Sequence, residues 1–349
     1  MTPVPQFVPL VEATRGDLVE STHFGAIAVV DTKGQLIASC GDPHQVAFLR
    51  SSSKPFQALP FIEQGGAEAF HLTNEEIAVL CSSHIGTDHH VEVVAAIQTK
   101  TGIKQEDLLC GTHPPYDKST SEAMLLRGEK PSPNRHNCSG KHTGFLALAL
   151  LNNLEKADYI NPQHPLQVEV TRTFAELCHI DVKDVHIGID GCSAPVFGIP
   201  LVNAAWGWAN LCDPTQLPAS RAAACRKITN AMTSFPEMIA GFGSSDTRIM
   251  QVGAGKIVVK RGAEGYQSIG LLPGAFGPES PALGIVFKIA DGDPLERARP
   301  LVGIEILRQL GALSAGQIQA LSEFYTRPIY NWSKLVAGEL RPAFQLNWA

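Results

Sequence analysis

The chain has 349 residues, of which 44% are hydrophobic and 18% charged, a balance typical of a globular protein. Its net charge is −6 and it has no run of basic residues, so we expect neither a nucleic-acid-binding nor a membrane-binding surface. No apolar run reaches the roughly 18 residues of a membrane span, and the N-terminus lacks the basic and apolar segments of a signal peptide. These features predict a soluble, cytoplasmic protein.

Strand signals dominate the start of the chain, and helical patterns then take over. Residues 8–13, 25–31 and 36–40 are rich in strand-forming residues, and Asp-Thr-Lys-Gly at 31–34 is a turn signal between the last two. Helices are predicted at 55–65, 73–80, 88–101, 118–127, 142–154, 164–178, 201–212 and 217–233.

Strand patterns return late in the chain. They are predicted at 185–190, 256–260, 267–272 and 283–290, and two helices at 294–311 and 314–325 close the sequence. Strands at both ends with a helical middle predict an α+β fold with one mixed or antiparallel sheet. Because no linker is evident, we predict a single domain over 1–349, with strands from 1–40 and 256–290 in one sheet and a helical region at 55–235.

The most informative segment is Arg-Ser-Ser-Ser-Lys-Pro at 50–55. Ser51 and Lys54 form an S-x-x-K pair, in which a lysine amine can serve as the base that a serine nucleophile needs. Pro55 fits the first turn of a helix, which places Ser51 at or just before a helix N-terminus. Ser53 is adjacent to the same lysine, and on its own the motif also fits an ordinary serine-rich helix cap.

Three further segments are dense in reactive side chains. Cys-Ser-Ser-His at 81–84 follows a predicted helix, and Asp-Gly-Cys-Ser at 190–193 follows a predicted strand. Asn-Cys-Ser-Gly-Lys-His at 137–142 lies where a loop enters a helix, and Gly140 there permits a close backbone approach to a ligand. Each segment also fits a structural turn whose polar groups are satisfied locally.

Eight cysteines are scattered along the chain without a C-x-x-C pair, at positions 40, 81, 110, 138, 178, 192, 212 and 225. This pattern favours reduced, buried thiols over a disulfide framework. Cys138 and Cys192 lie in two of the dense turns and could bind a metal together, provided that His142 or Lys141 completes the site. Buried free thiols are the alternative interpretation.

Five ordered motifs carry a resemblance that covers nearly the whole chain: R-S-x-x-K-P-F-Q at 50–57, C-S-S-H at 81–84, N-C-S-G-K-H at 137–142, D-G-C-S-x-P at 190–195 and K-R-G-A-E-G at 260–265. In this combination the sequence resembles the Rhizobium etli-type, or class 3, L-asparaginases of the asparaginase II family. The resemblance implies a fold similar to serine β-lactamases and glutaminases, a homodimer, and hydrolysis of L-asparagine to L-aspartate and ammonia.

Carried over to this sequence, the resemblance implies that Ser51 is the nucleophile and Lys54 its base. Ser83 with Lys260 is implied to form a second Ser–Lys pair beside the first. A zinc ion that assists substrate binding is implied at Cys138, Lys141 and Cys192, with His142 next to it. Arg50 and Asp190, together with His142, are implied to bind the amino-acid end of the substrate.

Three alternatives remain at this stage. A glutaminase differs only by one methylene in its substrate, which residue types do not reveal. A penicillin-recognising acylase or β-lactamase shares S-x-x-K, but the S-D-N and K-T-G motifs of that group are absent from the sequence. A non-catalytic protein that binds zinc or an amino acid would not need two Ser–Lys pairs.

Overall fold

The computed structural model describes residues 6–349. The chain forms two compact units. Unit 1 comprises the described part of Met1–Ser52 together with Ile199–Asp213 and Arg248–Ala349, and unit 2 comprises Ser53–Gly198 and Pro214–Thr247. The single domain predicted for 1–349 stays a prediction.

Twelve strands and fourteen α-helices lie within residues 6–349. The strands are β1 (Val8–Arg15), β2 (Leu18–Asp31), β3 (Leu36–Cys40), β4 (Val46–Phe48), β5 (His186–Ile189), β6 (Pro195–Pro200), β7 (Ile257–Arg261), β8 (Tyr266–Leu271), β9 (Leu283–Ile289), β10 (Arg327–Tyr330), β11 (Val336–Pro342) and β12 (Asn347–Trp348). The helices are α1 (Lys54–Glu63), α2 (Gly66–Ala69), α3 (Asn74–Leu80), α4 (Asp88–Thr101), α5 (Lys118–Leu126), α6 (Ser139–Leu151), α7 (Pro165–Leu177), α8 (Leu201–Cys212), α9 (Ala219–Ser234), α10 (Pro236–Ala240), α11 (Ser245–Val252), α12 (Arg299–Gln309), α13 (Ala315–Ala320) and α14 (Ser322–Tyr325).

Unit 1 is built on one antiparallel sheet. Its strand order is β10-β11-β1-β2-β9-β8-β7, with β3 also pairing with β2 and β12 pairing with β3. The sheet therefore joins strands from both ends of the sequence, which confirms the predicted α+β class. In β7, β8 and β9 nearly every residue is buried, so both faces of these strands are covered.

The strands at the C-terminal end were not predicted from the sequence. β10 includes Pro328, which usually marks an edge or a non-strand segment, and β12 has only two residues. β2 begins seven residues before the predicted strand at 25–31. The sequence did not reveal this first half, because its residues are mostly exposed and lack the apolar pattern of the second half. The predicted helix at 314–325 is divided at Leu321 into α13 and α14.

Helix α8 lies on the sheet of unit 1 and packs against β2, β8 and β9. Glycines on the strands make room for it. A Cβ at Gly284 of β9 would overlap the carbonyl oxygen of Ala205 and lie 2.6 Å from the amide nitrogen of Ala209. Because these are backbone atoms of a buried helix, they cannot move aside cheaply.

We predict that Gly284→Ala lowers the free energy of unfolding by about 1–3 kcal/mol, because the added methyl group forces α8 away from β9. Gly316→Ala is the matched control: Gly316 lies in α13 and a Cβ there would meet no atom within 4 Å. Urea-induced equilibrium unfolding measures both changes. Equal effects of the two substitutions would contradict the packing described for α8.

Unit 2 is helical and is centred on α1 and α6. Residues 54–62 of α1 and 139–149 of α6 are all buried, as expected for helices that are covered on every side. Helix α1 packs against α6, α7 and α9, and Phe56 meets Phe174 of α7 edge-to-face with 5.6 Å between ring centroids. The N-terminal ends of α1 and α6 carry two of the motifs that the sequence singled out.

None of the helices in the described part of the chain combines the length and the hydropathy needed to cross a membrane.

Candidate active site

The S-x-x-K segment forms a short turn that leads directly into α1. A 3-10 helix spans Arg50–Ser53, and Lys54 is the first residue of α1, three positions after Ser51. Pro55 lies in the first helical turn, as predicted. Arg50 has a φ of 51°, a left-handed conformation that a side chain rarely adopts and that a surrounding structure must enforce.

In unit 1 this turn lies against the end of β7, which carries Lys260. The Ser52 hydroxyl donates a hydrogen bond to the carbonyl oxygen of Lys260 at 2.6 Å. Gly262, two residues further on, lets the turn approach, since a Cβ there would lie 2.5 Å from the carbonyl oxygen of Leu49. The Lys260 amine donates to the carbonyl oxygen of Arg261 at 3.0 Å.

The three serines of the motif have different surroundings. Ser52 is fully buried and its hydroxyl is engaged by a main-chain carbonyl. Ser53 is also buried, at 1% exposure, whereas Ser51 is only half-buried. Ser51 is thus the most exposed of the three serines, and its role as the nucleophile stays a prediction.

In unit 2 the amine of Lys54 is buried, at 1% exposure, among oxygen atoms of two other motifs. It donates to the carbonyl oxygen of Ser82 at 2.5 Å, to the hydroxyl of Ser83 at 2.9 Å and to the carbonyl oxygen of Asn137 at 3.3 Å. The structure therefore brings Lys54 and Ser83 together. The predicted pairing of Ser83 with Lys260 stays a prediction.

Two imidazoles hold the loop that precedes α6. His136 Nδ1 accepts the N–H of Cys138 at 3.0 Å, and His113 Nε2 accepts the N–H of Asn137 at 3.1 Å. The two rings contact each other with 4.4 Å between centroids. Neither histidine was predicted as a site residue, because a lone histidine forms no motif with its neighbours in sequence. The one available signal was that His136 directly precedes the motif at 137–142.

Gly140 of the same motif allows α6 and α3 to pack closely. A Cβ at this position would overlap the carbonyl oxygen of Val79 in α3. The close backbone approach expected at Gly140 is therefore made by α3, and not by a ligand. This contact seats the start of α6 beside the C-terminal end of α3, from which the Cys-Ser-Ser-His segment continues.

Cys138, Lys141 and Cys192 form a buried cluster in unit 2. The Lys141 amine donates to Cys192 Sγ at 3.0 Å. A hydrogen bond from Cys192 lowers the pKa of Cys138 well below its usual value, against the effect of burial, and the same bond raises the pKa of Cys192. Burial would lower the pKa of Lys141, but the two sulfurs and Asp190 outweigh it and raise that pKa. The two sulfurs, the Lys141 amine and the Asp190 carboxylate thus shift the pKa values of one another's groups.

His142 lies next to this cluster and is completely buried. Burial lowers its pKa to about 4, and the Cys192 side chain acts in the opposite direction, so the imidazole is neutral at pH 7. Its Nδ1 is 2.6 Å from the hydroxyl oxygen of Tyr159. Tyr159 is a further residue of this region that carried no signal in the sequence.

Asp190 sits in a tight turn between β5 and β6. Its backbone N–H donates to the carbonyl oxygen of Ala194 and its carbonyl oxygen accepts the N–H of Ser193, both at 2.9 Å. One carboxylate oxygen accepts the N–H of Gly191 at 2.9 Å. The charge of Asp190 raises the pKa values of both Cys138 and Lys141.

His84 and His90 are two further buried histidines, and His84 contacts the first residue of α6. His84 Nε2 lies 2.8 Å from the Ser139 hydroxyl and its Nδ1 accepts the N–H of Gly86 at 3.1 Å. The His84 ring stacks on His90 with 5.0 Å between centroids. Burial lowers the pKa of His84 well below its usual value and that of His90 to about 4. Both imidazoles are therefore neutral in the folded protein.

This arrangement predicts acid lability. Unfolded histidines take up protons near pH 6.5, whereas folded His90 stays neutral to about pH 4, so stability is complete above about pH 6.5 and is lost as the pH falls toward 4. His90→Gln should reduce this loss by about 2–3 kcal/mol. The exposed His186, changed to Gln, is the control. Urea unfolding at pH 7.5 and pH 4.5 measures both; an unaltered pH dependence in His90→Gln would contradict the prediction.

The model of the family described as L-asparaginase II matches residues 11–342 of this chain. The chain belongs to the L-asparaginase II family. This member of the family is accordingly an amidohydrolase. No curated protein is significantly similar to it in sequence.

Solved structures resemble this L-asparaginase II family member only distantly. A probable glutaminase from Bacillus subtilis is 13% identical over 83% of this chain and 89% of its own, with a TM-score of 0.38. A β-lactamase from Mycobacterium bovis is 13% identical over 82% of this chain and 94% of its own, with a TM-score of 0.40. The B. subtilis glutaminase covalently bound to 5-oxo-L-norleucine is 11% identical over 86% and 91% of the two chains, with a TM-score of 0.35.

Clusters of the usual metal-ligating side chains are absent from the part of this family member that the structure describes. Over residues 6–349, no three His, Cys, Asp or Glu side chains are grouped so that they could hold a metal ion. A metal at Cys138 and Cys192 would consequently depend on Lys141 as its third protein ligand.

Proposed function

We propose that the protein hydrolyses L-asparagine to L-aspartate and ammonia by a Ser–Lys mechanism. The observation that carries this proposal is the buried amine of Lys54, which follows Ser51 by three residues and contacts the Ser83 hydroxyl at 2.9 Å. A buried lysine amine among oxygen acceptors, three residues after a half-buried serine, supports a Ser–Lys mechanism in which the lysine takes the place of a histidine base.

Substrate recognition is proposed to rest on charges at the amino-acid end of asparagine. The guanidinium group of Arg50 can bind the α-carboxylate through two parallel hydrogen bonds. The carboxylate of Asp190 can accept the α-ammonium group. With both ends held, the side-chain amide would be directed to Ser51, and His142 is proposed to help to bind the amino-acid end.

In the proposed reaction, Ser51 Oγ attacks the amide carbonyl carbon while the neutral amine of Lys54 accepts the hydroxyl proton. As the C–N bond breaks, the amide nitrogen takes this proton from Lys54 and leaves as ammonia, and an aspartyl ester remains on Ser51. Water hydrolyses this ester with Lys54 again accepting a proton. Ser83, with Lys260 as its proposed partner, would relay protons beside Lys54, and backbone N–H groups at the start of α1 would stabilise the oxyanion.

We predict that Ser51→Ala lowers kcat for asparagine by about a thousandfold or more while the fold is retained. Ser53→Ala is the matched control, because it removes the same atom from the same turn. Ammonia release from asparagine and from glutamine measures the effect. If Ser53→Ala is the inactive variant and Ser51→Ala remains active, the nucleophile is Ser53 and the proposed register is wrong.

We further propose a zinc ion at Cys138, Lys141 and Cys192. Two buried sulfurs with an amine 3.0 Å from one of them fit the borderline-soft character of zinc. Such a metal would require Cys192 and Lys141 to give up protons, which binding itself favours. When bound, zinc would supply a positive charge that helps to hold the substrate.

Cys192→Ser is predicted to abolish stoichiometric zinc binding and to raise KM for asparagine more than it lowers kcat. Cys225→Ser, at another fully buried free cysteine, serves as control. Metal analysis of protein purified without chelator measures the zinc content. An unchanged content in Cys192→Ser would exclude this site.

The resemblance that supports the asparaginase proposal also implies a homodimer in the cytoplasm, and we propose both. Sedimentation velocity tests the oligomeric state, and fractionation of the source cells tests the location.

A further inference from the structure

Gln57 is a buried amide in an otherwise apolar stretch of α1. It is 3% exposed and follows Lys54 by three residues, and within 55–62 of this buried helix it is the one side chain with hydrogen-bonding groups. Burial of an amide costs free energy unless its polar atoms are hydrogen-bonded, and an apolar side chain of the same size would avoid that cost. The hydrogen-bond partner of Gln57 therefore has to account for a glutamine at this position.

That partner belongs to another of the five motifs. Gln57 Nε2 donates to the carbonyl oxygen of Pro195 at 3.3 Å. Pro195 is buried, ends the D-G-C-S-x-P motif at 190–195 and begins β6. Because the backbone of proline has a carbonyl acceptor and no N–H, the NH2 group of the amide is the one that must face it. One hydrogen bond thus joins the helix that begins with Lys54 to the end of the turn that begins with Asp190.

The other contacts of this turn set its shape or join it to a different helix. The N–H of Asp190 donates to the carbonyl oxygen of Ala194 at 2.9 Å, a bond that lies within the hairpin of β5 and β6. The middle of the turn is held by α6, whose Lys141 amine donates to Cys192 Sγ at 3.0 Å. Neither bond sets the distance between the turn and α1. The bond from Gln57 does, since it runs from α1 to the end of the turn.

We infer that Gln57 is a positioning residue for substrate selectivity, which holds the Asp190 turn at a fixed distance from Lys54. The inference rests on the proposed function, in which Asp190 accepts the α-ammonium group of asparagine and Lys54 acts at the side-chain amide. These two groups of asparagine are separated by a short, fixed set of bonds, so both contacts form only when the turn and α1 are correctly spaced. A misplacement of about 1 Å can cost a factor of about a hundred in rate.

Two substrates measure the selectivity for the α-ammonium group. Succinamate is asparagine without that group, so the ratio of kcat/KM for asparagine to kcat/KM for succinamate reports what the group contributes. Gln57→Met keeps the size of the side chain and removes the hydrogen-bond donor. In this variant we expect the ratio to fall about tenfold or more. The value of kcat/KM for succinamate should stay near that of the native protein, because Lys54 and its acceptors are unchanged.

Gln98→Met is the matched control, because Gln98 is also a buried glutamine in a helix of unit 2 and its Nε2 donates to Asn134 Oδ1 at 2.8 Å. This control should keep the native ratio. Asp190→Asn, which removes the charge, should lower the ratio at least as far as Gln57→Met. The inference is overturned, with the proposed function intact, if Asp190→Asn lowers the ratio and Gln57→Met does not. Equal losses for both substrates in Gln57→Met would also overturn it, since they indicate general damage to the site.

Hydrogen exchange of the full-length protein tests the positioning without a substrate. Mass spectrometry of peptides that cover 186–196 follows the hairpin, in which the N–H of Asp190 is hydrogen-bonded. We expect faster exchange there in Gln57→Met than in the native protein or in Gln98→Met. If the native protein hydrolyses neither substrate, or both equally well, the proposed recognition of asparagine fails. The exchange rates still decide in that case, because unchanged exchange in Gln57→Met would overturn the positioning role of Gln57.

Discussion

The burial of the Lys54 amine is the constraint on which the organisation of unit 2 depends. An amine removed from water must find acceptors, or its burial would cost several kcal/mol. Those acceptors come from two other motifs, through Ser82 and Ser83 after α3 and Asn137 before α6. Three segments that are far apart in sequence therefore converge on one nitrogen. The same contacts that satisfy the lysine place a serine hydroxyl beside it, so stability and proposed chemistry have a common origin.

Lys141 is a second buried lysine, and its amine has a different kind of hydrogen-bond partner. Lys141 is paired with sulfur instead of neutral oxygen, since its amine donates to Cys192 Sγ in a cluster that also contains Cys138. This difference separates the proposed roles of the two amines. Lys54, among neutral acceptors, is suited to exchange a proton with a serine. Lys141, held by thiols and by a nearby carboxylate, is suited to bind and orient.

The sequence anticipated those parts of the protein whose signals are local. The helices at 88–101 and 201–212 and the strand at 36–40 were predicted with the bounds that the structure has, since each shows a clear period. The terminal strands β10, β11 and β12 were not predicted. They form through pairing with other strands of the sheet, and their own sequences lack a clear strand pattern. In the site, motifs identified Lys54 and the thiol pair. His113, His136 and Tyr159 were missed, because single residues that act through packing and hydrogen bonds leave no spacing pattern.

Covalent trapping of the nucleophile tests the central claim most directly. The diazoketone analogue of asparagine, 5-diazo-4-oxo-L-norvaline, alkylates the side chain that attacks the amide carbon, with loss of nitrogen. Peptide mass spectrometry of the inactivated protein locates the adduct. The proposed mechanism predicts one adduct per chain, on Ser51, and protection by L-aspartate. An adduct on Ser83, or on Cys138 or Cys192, would contradict the assignment of Ser51 as the nucleophile.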